Sequence, residues 1–206
     1  MSAGDPATSV GKTHKKTEVG SVFVSNYPPY SFWSEETVPE AVKALSTPPA
    51  DSRPLGLYLH IPFCRRRCKF CYFKVYTDKN ARDVERYLEA VTREARALRE
   101  LDGITGRKPG FVYVGGGTPS FISAKHLRLL FDNLKNTFEW DGVEEVTFEC
   151  EPGTLTEAKV AAIREVGVTR LSLGVENFND EILQENGRAH VSKEIDRCLP
   201  WIQAQD

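Results

Sequence analysis

Three cysteines, Cys64, Cys68 and Cys71, stand at spacings of four and three in the run CRRRCKFC. Thiolates so spaced can close around one face of a cubane iron–sulfur cluster and bind three of its four irons. The fourth iron then has no protein ligand and is open to an exchangeable small molecule. Reduced, such a cluster can pass one electron to chelated S-adenosylmethionine, releasing methionine and a 5′-deoxyadenosyl radical. Arg65, Arg66 and Arg67, between the first two thiols, favour thiolates and can steer an acidic electron-donor protein. Structural zinc is the competing reading. It needs a fourth ligand, for which His60 or Cys150 would serve, but the sequence offers no second CxxC or HxxxH pair. Both metals stay open on spacing alone.

The other chemistry-bearing residues are individually weaker signals. Gly115, Gly116 and Gly117 precede Thr118 in a GGGTP run that by itself reads as a tight βα turn, being neither a GxGxxG nor a Walker loop. Glu149 ends a strand pattern, where a solvated charge is the ordinary reading. His190 reads as a surface-loop histidine, and Cys150 and Cys198 as small apolar side chains in the core.

These residues need a scaffold, and the sequence predicts one from residue 55 onward. Strands are expected at 57–61, 111–114, 145–150 and 170–175. Helices are expected at 81–101, from the Ser123 cap through Leu134, from the Thr156 cap to Gly167, at 180–185, and from 193 to the end with a kink at Pro200. Successive βα units require parallel strands with helical crossovers, hence an α/β fold. A closed eight-unit barrel takes about 250 residues, so four units read as the front portion of a longer, truncated barrel. Before it, residues 1–20 read as a disordered tail. Residues 21–54, with the aromatic NYPPYSFW segment and a short helix at 39–45, read as an arm packing on the barrel. An unclosed barrel is expected to leave Val112, Val114, Phe148, Leu171 and Leu173 facing inward without partners, and so to be poorly soluble.

The 206 residues carry 27 basic and 29 acidic side chains, a net charge of −2. That balance gives no basic footprint for nucleic acid and no polybasic membrane patch. The best apolar run, 55–63, is far short of the roughly 20 residues of a membrane span, and the first twenty residues lack the apolar core of a signal peptide. The chain therefore reads as cytoplasmic, where a cysteine cluster indicates metal before disulfides.

In order along the chain, LYLHIPFCRRRCKFC, VYVGGGTPS, TFECEP and GVTRLSLGVENF resemble the radical-SAM family of oxygen-independent coproporphyrinogen III oxidases and related haem chaperones. The resemblance implies a partial (β/α) barrel with a [4Fe-4S] cluster at the C-terminal ends of the strands, held by Cys64, Cys68 and Cys71. It implies that Tyr58, Phe70, Gly116, Gly117, Thr118 and Glu149 contact S-adenosylmethionine. Glu176, where the oxidases carry glutamine, and Arg188 would sit near a second cofactor molecule.

Two features point to different branches. The oxidases have a further cysteine two positions after the last cluster ligand; here Phe73 stands there, as in the chaperones, which lack that cysteine. VSNYPPYSFW instead resembles the arm of the oxidases. The implied activity is oxidative decarboxylation of porphyrinogen propionates to vinyl groups, with a flavodoxin or ferredoxin as electron donor. The alternatives are a haem chaperone, a radical methyl transfer, or an inactive fragment.

Overall fold

The computed structural model describes residues 33–205, so the tail, the aromatic arm segment up to residue 32 and Asp206 lie outside the described residues. The chain divides into residues 1–42 and 43–206. In the first unit a 3-10 turn, Glu35–Thr37, leads into helix α1, Val38–Leu45, which continues into the second. Residues 33–54 are exposed throughout.

The second unit alternates strand and helix: β1 Leu55–Ile61, α2 Ala81–Arg99, β2 Pro109–Gly116, α3 Ala124–Thr137, β3 Glu145–Cys150, α4 Glu157–Glu165 and β4 Arg170–Leu173, then α5 Asp180–Glu185 and α6 Ser192–Gln203. The strands form one parallel sheet in the order β1-β2-β3-β4 that does not close. Helix starts follow local chemistry. Asn80 accepts from the Arg82 and Asp83 N–H groups while Asp83 accepts from the Asn80 N–H, a reciprocal cap worth about 1 kcal/mol. Ser123 and Thr156 cap α3 and α4 as expected. Gly167, at φ +94°, ends the α4 segment in the left-handed region glycine tolerates. Helix α6 runs through Pro200.

Because side chains alternate across a strand, each strand gives one set to the helices and one to the open face. The helix side takes Leu59 and Ile61, Val112 and Val114, and Val146, Phe148 and Cys150, all buried against Val84, Leu88, Leu127, Leu130, Phe131, Val160 and Ile163. Leu171 and Leu173 pack on the same core. This corrects the expected orientation of Val112, Val114, Phe148, Leu171 and Leu173. An apolar residue on a four-stranded sheet goes to the face that helices cover, so these five point away from the open side. Val112, Val114 and Phe148 are buried under the helices, whereas Leu171 and Leu173, on the edge strand, are partly covered.

The open face carries Tyr58 and His60, Phe111 and Tyr113, Thr147 and Glu149, and Arg170 and Ser172, in register across the sheet. Arg170 pairs with Glu145 at 3.2 Å. Among the described residues no helix is long and apolar enough to cross a membrane.

Candidate functional site

The C-terminal strand ends converge on a cavity of about 310 Å³. Cys64, Cys68 and Cys71 all line it, together with Gly116, Gly117, Thr118, Glu149, Glu176 and Arg188. Phe70 lines it as well, whereas Tyr58 stands beyond its wall on the open sheet face. Seven of the eight residues that the resemblance assigned to cofactor contact therefore share one cavity with the three cysteines.

Cysteine placement begins with β1. Its end is extended by a bridge between Phe63 and Tyr76, with the Tyr76 N–H donating to the Pro62 carbonyl and the Cys64 N–H to the Tyr76 carbonyl. Cys64 is buried there, and the Thr118 hydroxyl donates to its sulfur at 3.2 Å. Burial pushes the Cys64 thiol pKa up, and the Thr118 bond pulls against that. Beyond Cys64 the loop swings outward. It is tied by the Lys69 N–H to the Asn186 carbonyl, by Arg67 to the Cys71 carbonyl and by Arg65 to the Gly153 carbonyl. Arg188 donates to the Cys68 sulfur at 3.4 Å.

Gly117 makes the close approach possible. A Cβ at that position would lie 2.9 Å from the Cys64 sulfur and 3.0 Å from the Phe63 carbonyl oxygen. The Gly117 N–H instead donates to the Ile61 carbonyl at 2.8 Å, seating the GGGTP run against the end of β1. Gly116, at φ +115°, lies under the His60 ring.

Glu149 is fixed by two donors, the Tyr113 hydroxyl at 2.5 Å on one carboxylate oxygen and the Gly116 N–H at 3.2 Å on the other. The Tyr113 pKa is pushed up to about 12, first by that hydrogen bond and then by burial, so Tyr113 remains a donor. Tyr58 stacks on Tyr113 with ring centroids 6.0 Å apart. Nothing in the local sequence marks Tyr113; its role arises from lying beside Glu149 on the neighbouring strand.

Glu176 has φ +63°, the one non-glycine residue in the left-handed region among the described residues. The Asn177 N–H returns to the Val175 carbonyl at 2.7 Å, so Glu176 is the centre of a three-residue turn. Turns of that hand at a non-glycine residue are rare and cost on the order of 1–3 kcal/mol. Arg188 stands 3.9 Å from the Glu176 carboxylate and donates to the Gly174 carbonyl at 2.6 Å.

His190 is not the surface-loop residue expected. It is 3% exposed, with Nδ1 2.6 Å from Glu151 Oε1 and Nε2 3.2 Å from the Val175 carbonyl oxygen. Two ring nitrogens with fixed acceptors explain why an imidazole is tolerated in the interior. Glu151, buried alongside, also accepts from the Gly153 N–H. Below it, Ser120, Thr154 and Lys159 form a polar floor. Ser120 Oγ accepts from the Glu151 N–H and lies 2.6 Å from Thr154 Oγ1, while the Lys159 ammonium donates to the Ser120 and Thr154 carbonyls. Cys150 and Cys198 are buried core residues, as expected.

The soft donor set suits an iron–sulfur cluster: three thiols on one wall, with a guanidinium at one and a hydroxyl at another. Among the described residues no three His, Cys, Asp or Glu side chains converge on one metal-ion position.

Comparison with known proteins agrees with this geometry. The model of the radical SAM superfamily matches residues 58–205. The heme chaperone HemW of Haemophilus influenzae is 34% identical over 143 residues, covering 68% of this chain and 37% of the relative. HemW of Mycobacterium tuberculosis H37Rv is 37% identical over 145 residues, covering 69% and 36%. Among solved structures, the Escherichia coli coproporphyrinogen III oxidase HemN, described as a radical SAM enzyme, is similar with a TM-score of 0.74 and 26% identity, over 88% of this chain and 41% of that one. The chain thus spans little more than a third of the length of the curated relatives it matches. With the family model matching most of its length, the chain belongs to the radical SAM superfamily, whose cofactors are a [4Fe-4S] cluster and S-adenosylmethionine.

Proposed function

We propose that Cys64, Cys68 and Cys71 hold the [4Fe-4S] cluster and that S-adenosylmethionine binds beside it in the same cavity. The observation that carries this is that all three thiols line one cavity together with Gly116, Gly117, Thr118 and Glu149. Bound together and reduced, the two cofactors supply the family's radical chemistry.

The chain's own residues do the positioning. Glycine at 116 and 117, whose own N–H groups are engaged by Glu149 and the Ile61 carbonyl, lets a ligand approach the backbone with no side chain in the way. Glu149, held from one side by Tyr113 and Gly116, offers its remaining lone pairs to hydroxyl or ammonium donors. Phe70 gives an apolar wall and Tyr58 flanks the open face. Arg65 and Arg66, exposed beside the first cluster thiol, present positive charge to a flavodoxin- or ferredoxin-like electron donor.

The reading best supported beyond this is a haem-chaperone-like protein. Phe73, where the oxidases carry cysteine, is packed in an aromatic group with Tyr72 at 4.4 Å and His60 at 6.1 Å between ring centroids. The curated relatives named above are heme chaperones. The likeness to HemN supports the second reading, oxidation of a porphyrinogen propionate to a vinyl group with loss of carbon dioxide.

Anaerobic cluster reconstitution followed by dithionite and S-adenosylmethionine tests the common site; 5′-deoxyadenosine is expected from the native chain and not from Cys64→Ala, Cys68→Ala or Cys71→Ala. Haem titration and incubation with coproporphyrinogen III then separate the branches. Haem binding without vinyl product is expected. Porphyrinogen turnover would transfer the assignment to the oxidases, and methylated product to a transferase.

A further inference from the structure

His190 and Glu151 form the most enclosed ionisable pair among the described residues, their side chains 0% and 10% exposed at 2.6 Å separation. They belong to none of the contacts assigned above, yet Glu151 lines the cavity and His190 adjoins it through Glu151. The second ring nitrogen of His190 reaches the Val175 carbonyl at 3.2 Å. That same carbonyl closes the strained turn by accepting from the Asn177 N–H. Two residues earlier, Arg188 grips the preceding carbonyl, that of Gly174, at 2.6 Å. The Gly174 N–H is in turn held by the Cys150 carbonyl at 2.9 Å.

Successive carbonyls are thus held by two side chains of one short segment, and the residue that follows them is Glu176 at φ +63°. A left-handed non-glycine residue persists only where its surroundings over-determine it. Here the surroundings are Arg188 and His190, and Glu151 fixes the imidazole that does the holding. The turn in question delivers the Glu176 carboxylate and the Arg188 guanidinium to the cavity wall, with Arg188 also reaching the Cys68 sulfur.

We propose that His190, braced by Glu151, is a positioning residue that holds the Glu176 turn and so sets the Arg188–Glu176 edge of the cofactor cavity. Glu151 acts through His190: it is anchored by the Gly153 N–H and lies 2.6 Å from Nδ1, and with both ring nitrogens protonated the imidazole donates Nδ1–H to Glu151 and Nε2–H to the Val175 carbonyl. The role rests on the reading that S-adenosylmethionine occupies this cavity.

The test is binding of S-adenosylmethionine to the reconstituted full chain by calorimetry, with the electron paramagnetic resonance signal of the reduced cluster recorded with and without saturating S-adenosylmethionine. The variants are His190→Phe, which keeps a ring and loses both donors, His190→Gln, which keeps amide donors, and Glu151→Gln. Iron content and melting temperature are measured on each. His190→Phe is expected to retain its iron, bind S-adenosylmethionine about tenfold more weakly and show an altered signal at saturation, while His190→Gln recovers part of both. Unchanged affinity and signal in His190→Phe would overturn the proposal, as would losses that only track iron content and melting temperature. Should His190→Phe not fold, Glu151→Gln decides in its place, a weaker affinity with an altered signal supporting the proposal and unchanged values overturning it. Failure of the native chain to bind S-adenosylmethionine would instead sink the cofactor reading itself.

Discussion

Between Cys64 and Cys71 the side chains of Arg65, Arg66, Arg67, Lys69 and Phe70 are exposed, whereas the strand ends beneath them bury Thr118, Ser120, Glu151, Thr154 and His190. The loop is held mainly at its edges, by the Phe63–Tyr76 bridge and the Lys69–Asn186 bond. The floor is held more densely, by the Ser120, Thr154, Lys159 and Glu151–His190 hydrogen bonds. Buried polar groups without partners cost far more than exposed ones, so the floor is obliged to be rigid and the loop is not. The thiols thus sit on an exposed loop held at a few points, while Thr118 and the buried polar groups beside it sit on a more tightly bonded floor.

The largest expected effect breaks the loop. Cys64→Ala, Cys68→Ala and Cys71→Ala should each reduce the iron retained after reconstitution to background, measured by iron assay and visible absorption, with the secondary structure by circular dichroism intact. Full iron retention in any one of them would remove that cysteine from the ligand set.

Next comes the seam between loop and floor. Gly117→Val forces side-chain atoms against the Cys64 sulfur and the Phe63 and Ile61 carbonyls. Overpacking of this kind costs about 1–3 kcal/mol, so chemical denaturation should show reduced stability and reconstitution reduced iron. A variant as stable as the native chain would mean that the loop moves freely from the floor.

Within the floor, Glu149→Gln removes a charged acceptor while sparing every thiol. Hydrogen bonds to charged groups contribute about 1.5–3 kcal/mol, which is roughly ten- to a hundredfold in Kd for S-adenosylmethionine by calorimetry, at unchanged iron content. Parallel loss of iron would show that floor and loop are not separable.

A smaller effect is carried by pH. Burial works against the Glu151 carboxylate, but the His190 and Gly153 hydrogen bonds outweigh it and leave its pKa below the ordinary 4.5. A group with a lowered folded pKa stabilises fully above its unfolded value and loses that contribution as pH falls through the folded one. Urea unfolding of the apo chain should therefore show stability falling on acidification below about pH 4.5, and Glu151→Gln should flatten that limb. An identical acid limb in the variant would assign it to other carboxylates.

The smallest effect belongs to the cysteine outside both regions. Cys198→Ala trims one buried sulfur from the core and should cost about 1 kcal/mol, with iron content unaltered.

Much of this was legible along the chain. Strand and helix order followed from apolar periodicity and caps, and β3 and α5 lie at the expected residues, 145–150 and 180–185. The cysteine motif was readable as a local signal, whereas the glycine run, Glu149, Glu176 and Arg188 were singled out only through the family resemblance, since alone they read as a tight turn and ordinary charged residues. Side-chain direction was not. Val112 and Phe148 are apolar whichever way the strand faces, and only the helices stacked on one side decide which face is covered.

Residue type and spacing by themselves determined the three-cysteine run after β1, the α/β alternation and the near balance of charge, since these depend on chain-local chemistry. Only the tertiary structure decided that Tyr113 donates to Glu149 across 36 residues of sequence, that His190 is buried against Glu151 across 39, and that a strained turn presents Glu176. The physical reason is that a hydrogen bond between residues on different strands depends on register and on what covers the sheet, and neither is written in the residues that make it.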